Sequence, residues 1–380
     1  MIKKLLVIIF LLLILAGAVV LIRYPYLVQG IKKVYLKGHM TSDISDFKRY
    51  PYREIPKGRT REWPLHEDYN RIPASQRLLD AHREYETAAY LVIKDDSLLF
   101  EQYYNGFRRD SLTNSFSMAK SITMLLVAKA IEDGYIKSLD QKVKDFIPEI
   151  QGPYADSVRI RHLATMSAGT DWDENYYSPF SITAESYFSK DLDKLMIKEV
   201  RFVYPPGERW FYSSGDTQFL GMIVRRATGK DLAAYLSESF WKPMGMRREA
   251  YWNTDRDGGM EKAFCCINAC ARDFARFGRL MLHEGNWDGR QLVDSALVRE
   301  MTRAPWPDVP YGMQWWLFEH NGVRGYTMRG HLGQYVMVIP AEHTVIVRTG
   351  RRKAFSRPGT YAQDFFIYLE EGLKIARQAR

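Results

Sequence analysis

The chain has 380 residues, of which 46% are hydrophobic and 26% charged, an ordinary globular composition that excludes a disordered or fibrous chain. That length can bury one large core or two smaller ones. The formal net charge is +9, yet Lys and Arg are interleaved with Asp and Glu throughout, so the charge reads as solvated surface with a weak bias toward anionic membranes or cell-wall polymers and gives no nucleic-acid footprint.

Lys3 and Lys4 precede an uncharged run from Leu5 to Ile22 that Arg23 closes. As a helix at roughly 1.5 Å per residue this run reaches about 27 Å, the low end of a bilayer crossing. Positive charge ahead of it holds that end in the cytoplasm. Residues 1–23 are therefore expected to be a signal anchor in the cytoplasmic membrane, with everything after them in the cell envelope. Ala16-Gly17-Ala18 resembles a cleavage site that would leave a secreted or periplasmic form, but Val19 to Ile22 continue the apolar run beyond it and favour an uncleaved anchor. Residues 24–75 are basic, aromatic and punctuated by Pro51, Pro56, Pro64 and Pro73, which predicts an extended stalk or a wrap over the domain surface.

The main domain is expected over 76–380. Ala88 to Lys94 and Leu98 to Tyr104, joined by Asp95-Asp96-Ser97, read as a β-hairpin. A long apolar helix follows from about Ser115 to Asp133, ended by Gly134. The stretch from about 139 to 300 is mostly helical, most clearly over Gln218 to Thr228, Leu232 to Phe240 and Ala271 to His283. Short strands return at Tyr311 to Leu317, Gly325 to Met328, Tyr335 to Ile339 and Thr344 to Arg348, before a last amphipathic helix from about Tyr361 to Ala376. Strands at both ends with helices between them predict an α+β domain. Its central antiparallel sheet would be assembled from 87–110 and 310–380 and flanked by helices, with an inserted all-α subdomain over about 139–300. Cys265, Cys266 and Cys270 are odd in number and two are adjacent, which suits neither a disulfide framework nor a redox motif, so small buried apolar side chains are expected. No His is paired at metal-ligand spacing with another His or a Cys, and neither a metal nor a cofactor is expected.

A serine nucleophile needs a base within hydrogen-bond reach and donors aimed at the developing oxyanion. Three Ser-x-x-Lys tetrads occur: Ser45 to Lys48, Ser117 to Lys120, and Ser239 to Lys242. Ser45 lies in the irregular segment, and Pro243 directly after Lys242 disfavours helical geometry there. Ser117 alone opens a long buried helix, where positions i and i+3 share a face and burial would lower the lysine pKa enough for a neutral amine base. The alternative is a Ser117 that merely caps the helix beside a Lys120 reaching out to solvent.

Pro205-Pro206-Gly207-Glu208-Arg209-Trp210-Phe211-Tyr212-Ser213-Ser214 leads into the next helix. With Ser117-Met118-Ala119-Lys120 before it and His331-Leu332-Gly333 after it, the chain resembles the serine β-lactamase-related family of penicillin-recognising hydrolases. That family includes class C β-lactamases, D-alanyl-D-alanine carboxypeptidases, D-aminopeptidases, esterases and nylon-oligomer hydrolases. Its pattern is Ser-x-x-Lys, then Tyr-x-Asn, then Lys/His-x-Gly on a C-terminal strand. The resemblance spans about 88–376 and implies a β-lactamase/transpeptidase-like fold and an acyl-enzyme serine hydrolase of amides, esters or peptides. It further implies Ser117 as nucleophile, Lys120 as base, Tyr212 as proton shuttle, and the N–H groups of Ser117 and Gln334 as the oxyanion hole. Gly333 would let substrate approach the strand edge, and His331 would line the pocket, unless it is simply a turn residue before the strand.

Two departures bear on substrate. Ser214 stands where the pattern has Asn, and Leu332 stands where β-lactamases carry a hydroxyl that binds the substrate carboxylate, so efficient β-lactam turnover is not expected. The loop Gly169 to Pro179 is similar to that of the nylon-oligomer hydrolases, where a tyrosine contacts the substrate amide. This makes Tyr176, ahead of Tyr177, a candidate for stabilising the leaving nitrogen, against the alternative of a surface loop packed on the helical subdomain. A D,D-peptidase and a non-catalytic envelope-binding domain are the competing readings. An α/β-hydrolase is disfavoured because Gly-x-Ser-x-Gly is absent from the sequence.

Overall fold

The computed structural model describes residues 2–33, 43–176, 178–357 and 359–380. In chain order its helices are α1 (Ile2–Arg23), α2 (Tyr26–Lys33), α3 (Gln76–Glu84), α4 (Met118–Glu132), α5 (Ile160–Ala164), α6 (Ile182–Phe188), α7 (Leu192–Glu199), α8 (Ser214–Thr228), α9 (Leu232–Leu236), α10 (Ala271–Leu282), α11 (Ser295–Met301) and α12 (Gln363–Gln378). The strands are β1 (Tyr52–Ile55), β2 (Thr87–Lys94), β3 (Ser97–Tyr103), β4 (Thr113–Asn114), β5 (Ala250–Asn253), β6 (Ile267–Ala269), β7 (Asn286–Trp287), β8 (Arg290–Gln291), β9 (Trp316–His320), β10 (Val323–Gly330), β11 (Gln334–Ile339) and β12 (Thr344–Gly350).

Alternating apolar residues build the main sheet, ordered β3-β2-β12-β11-β10-β9 with every pairing antiparallel. Leu91, Ile93, Val336, Val338, Val345 and Val347 face one core, whereas Tyr90, Val92, Tyr335, Met337, Ile339 and Ile346 face another. Each fully buried aliphatic side chain of this kind contributes roughly 1.5–3 kcal/mol. The first face is covered by α10, where Gly278 lets the helix lie against the strands, since a Cβ there would come within 2.4 Å of Val345. Phe365, Tyr368, Leu369 and Leu373 of α12 and Leu78 of α3 fill the second face. The sheet is thus assembled from both ends of the domain, as the strand pattern predicts.

Between β3 and β9 the chain forms the helical insertion, which is mostly rather than wholly α because β5 to β8 fall within residues 139–300. Helix α4 is its axis, with residues 118 to 128 buried all round, the signature of a helix surrounded by protein. The sequence places its start at Ser115, but Phe116 has φ +46, so the regular helix begins at Met118. The predicted strand over 311–317 falls instead at β9, because Tyr311 and Trp315 are buried in an irregular turn.

Two expectations are corrected. Residues 24–75 are more than an extended wrap: α2 packs on α6, with Gly30 facing the Phe188 ring, and β1 joins a second antiparallel sheet, β1-β5-β6-β4. The adjacent Cys265 and Cys266 are joined in a disulfide, while Cys270 is free and buried. Helix α1 is long and apolar enough to cross a membrane.

Candidate active site

The site forms where the start of α4, the start of α8, the loop before α6 and the β10–β11 turn converge. Phe116 precedes the serine in the left-handed region, φ +46, a conformation costing a bulky residue on the order of 1–3 kcal/mol. It is held by its N–H donating to Asn114 Oδ1 at 2.8 Å and by packing on Ile44 and Ala88. Ser117 follows with helical φ/ψ, half-buried, and its side chain makes no capping hydrogen bond. Lys120 lies one turn on and is only 2% exposed. The reading of a capping serine beside a solvated lysine therefore fails.

Lys120 Nζ donates to Ser117 Oγ at 3.2 Å and to the Phe264 carbonyl at 3.0 Å, and it lies 5.2 Å from the centroid of the Tyr212 ring. Burial favours the neutral amine and lowers the Lys120 pKa to about 8, against the opposing pull of the Glu174 carboxylate. Burial and Glu174 push the Tyr212 phenol above its ordinary value, while a hydrogen bond with Ser117 and the Arg329 cation favour the phenolate. Serine hydroxyl, lysine amine and tyrosine phenol thus form one cluster able to pass a proton. Tyr212 stands in an aromatic wall, its ring 5.5 Å from Trp316 and 6.1 Å from Tyr311.

Ser213 caps α8 by accepting from the Asp216 N–H at 3.1 Å, which sets Ser214 in the first turn. Ser214 donates to Glu174 from its N–H at 2.7 Å and from Oγ at 2.6 Å. Glu174 also accepts from Trp172 Nε1 at 2.6 Å and from the Tyr176 hydroxyl, which lies 3.4 Å from Ser214 Oγ. The Tyr176 ring is 48% exposed, but its hydroxyl is turned inward to these partners, where burial and Glu174 raise its pKa well above the ordinary value. Tyr177 lies outside the described residues. Asp216, 1% exposed, accepts from Thr170 at 3.2 Å, and burial lifts its pKa to about 7.

His331, Leu332 and Gly333 form a tight turn between β10 and β11, with φ +62 at Leu332 and +82 at Gly333. The motif is therefore a turn where the resemblance expects a strand. His331 is exposed at this turn, its ring meets Phe116 edge-on at 5.5 Å, and desolvation on the packed side together with the Lys353 cation lowers its pKa. Leu332 packs toward Phe116 and Ala88. A Cβ on Gly333 would fall 2.4 Å from Arg348 Nη1, and Arg348 donates to the Leu332 and Gly333 carbonyls at 2.8 Å. Gln334 opens β11 fully buried, its side chain donating to the His331 and Gly350 carbonyls.

Three participants escape the sequence reading. Glu174 has no motif, although asking what replaces the missing Asn partner at Ser214 would point to a nearby carboxylate. The Phe264 carbonyl is backbone and leaves no residue signal. Arg329, stacked at 4.4 Å on Trp316 beside the aromatic wall, is signalled only by being a cation two residues before His331.

The sequence profile of the family described as Beta-lactamase matches residues 76–364. The 6-aminohexanoate-dimer hydrolase of Paenarthrobacter ureafaciens is 28% identical over 300 residues, covering 72% of this chain and 75% of that one. A protein of Escherichia coli K12, provisionally named a D-alanyl-D-alanine carboxypeptidase, is 24% identical over 317 residues, covering 67% of this chain and 71% of that one. Among solved structures, a Bacillus anthracis protein provisionally named a 6-aminohexanoate-dimer hydrolase superposes with TM-score 0.70 at 24% identity, covering 88% of this chain and 92% of that one. The chain belongs to the Beta-lactamase family and is a serine hydrolase of that group.

Proposed function

We propose that the chain hydrolyses amide or ester bonds of small substrates through an acyl-enzyme on Ser117. The observation that carries this reading is the buried Lys120 amine 3.2 Å from Ser117 Oγ. With a pKa of about 8, about a tenth of Lys120 is neutral at pH 7, enough to take the Ser117 proton as Oγ attacks the carbonyl carbon. The N–H groups of Ser117 and Gln334 hold the oxyanion. Tyr212 passes the proton to the leaving nitrogen or oxygen as that bond breaks, then draws a proton from the water that cleaves the acyl group and restores Ser117.

The tight Glu174, Ser214 and Tyr176 cluster supports a role in which the Tyr176 hydroxyl turns from Glu174 to contact the leaving nitrogen when substrate binds, with Ser214 holding Glu174 in place. His331 and Gly333 shape the opposite side of the pocket. A neutral His331 and an apolar Leu332 offer no charge to a substrate carboxylate, which favours simple amides and esters over β-lactams. Amide hydrolysis is also the activity that the Paenarthrobacter relative's name implies. Helix α1 supports placement at the cytoplasmic membrane with the catalytic domain on the envelope side, either anchored or periplasmic after cleavage.

Ser117→Ala is expected to abolish p-nitrophenyl acetate hydrolysis and fluorophosphonate labelling, and undiminished labelling would refute the assignment. A stable adduct with a fluorescent penicillin would point instead to a D,D-peptidase.

A further inference from the structure

The disulfide between Cys265 and Cys266 is buried, with the two side chains 0% and 5% exposed. It lies between two points where the chain grips the nucleophile's helix. Downstream, Ile267 brackets the approach to Ser117: its carbonyl accepts from the Ser115 N–H at 2.8 Å and its N–H donates to Ser115 Oγ at 3.0 Å. Upstream, the Ala263 carbonyl accepts from Thr123 Oγ1 at 2.8 Å and the Phe264 carbonyl from Lys120 Nζ at 3.0 Å.

Between these grips Cys266 has φ +73, a region that residues with side chains adopt only when their surroundings impose it. The short ring closed by two adjacent cysteines restricts the backbone at this position. The flanking carbonyls are also tied down, Cys265 accepting from Trp252 Nε1 at 3.0 Å and Cys266 from the Asn253 N–H at 3.1 Å.

We propose that the Cys265–Cys266 disulfide is a positioning element that fixes the 264–266 turn and so aims the Phe264 carbonyl at Lys120. The proposal rests on reading Ser117 and Lys120 as nucleophile and base. Around Lys120 stand Ser117 on the same helix, Tyr212 from the segment before α8, and Glu174 from the loop before α6. Tyr187 of α6 packs on the Phe264 ring at 5.4 Å. Ser117 Oγ and the Phe264 carbonyl are the acceptors that hold the Lys120 amine, and a turn released from the ring would admit water to the amine. Rehydration favours the ammonium and removes the base at neutral pH. An oxidised pair also fits a domain outside the cytoplasm, where disulfides persist.

The test uses the whole 380-residue chain and two double variants. Cys265→Ser with Cys266→Ser opens the ring, and Cys265→Ala with Cys266→Gly opens it while leaving the positive φ accessible, so that a folded variant is available. Both are expected to lower kcat for p-nitrophenyl acetate about tenfold or more at pH 7 with KM nearly unchanged. Both should also move the acid limb of the kcat profile to higher pH, with kcat recovering near pH 10. Mass counting of alkylated thiols checks the bond itself. Dithiothreitol delivers two electrons and two protons to it, giving two thiols and oxidised dithiothreitol, so the denatured chain should take up two more alkyl groups after reduction than before. Equal alkylation before and after reduction, or a folded Ala/Gly variant with wild-type kcat and limb, would overturn the proposal. Failure of the underlying reading shows separately, as wild-type protein that a fluorophosphonate does not label at Ser117.

Discussion

Replacing Lys120 with Met separates the cost of burying an ammonium from its use in catalysis. The Lys120 pKa is about 8 in the folded chain against 10.5 for an ordinary lysine. At about 1.4 kcal/mol per pH unit, carrying the charge in the folded state costs about 3 kcal/mol below pH 8. The unfolded chain holds the proton more tightly between pH 8 and 10.5, so wild-type stability rises through that window and the cost vanishes above it. Met escapes the cost but leaves the Ser117 hydroxyl and the Phe264 carbonyl without their donor, about 1 kcal/mol each. The expected balance is a variant about 1 kcal/mol more stable than wild type at pH 7 and about 2 kcal/mol less stable above pH 10.5. Urea unfolding at intervals from pH 7 to 10.5 measures the crossing, and esterase activity should fall about 100-fold or more at every pH. Unfolding curves that keep a constant separation across this range would refute the assignment of a depressed lysine.

Asp216→Asn tests a second buried group. A carboxyl lifted from 3.8 to about 7 keeps a proton in the folded state that the unfolded chain releases, so wild-type stability should fall as pH rises from about 4 to 7, by on the order of 4 kcal/mol. The Asn variant should lack that slope in thermal melts. Arg272→Met is expected to destabilise by about 3 kcal/mol in denaturant titration, because it takes the paired cation from Glu101, 7% exposed, and leaves a buried carboxylate with the Tyr69 and Tyr103 hydroxyls as donors. Tyr176→Phe should cut hydrolysis of an anilide about 10- to 100-fold while changing p-nitrophenyl acetate turnover by less than about threefold, since only the amide needs help with its leaving group. Equal loss on both substrates would place Tyr176 elsewhere in the reaction.

The sheet and the central helices were legible because their residues alternate or run apolar over whole elements. Leu91, Val336 and Val345 face one core while Tyr90, Met337 and Ile346 face the other, a period of two that survives in the bare sequence. Ser117, Lys120 and Tyr212 were legible as ordered motifs, and the structure brings these three side chains together. What stayed hidden depends on contacts between distant segments or on backbone. Glu174 acquires its place only because the chain returns 40 residues later at Ser214. The second sheet joins Tyr52 to Asn253 through strands of four residues, too short for a pattern to register. The disulfide between neighbouring cysteines escapes spacing rules because those concern separated pairs, whereas here the fold closes the smallest possible loop.

The proposed reaction turns on one covalent bond, between Ser117 Oγ and an acyl group. Intact-mass measurement after rapid mixing with p-nitrophenyl acetate, followed by peptide mapping, observes it directly. The prediction is a single acetyl adduct on the peptide containing Ser117, decaying as water releases it and absent from Ser117→Ala. An adduct that persists in Ser117→Ala, or that maps to another residue while turnover continues, would contradict the assignment of Ser117 as nucleophile.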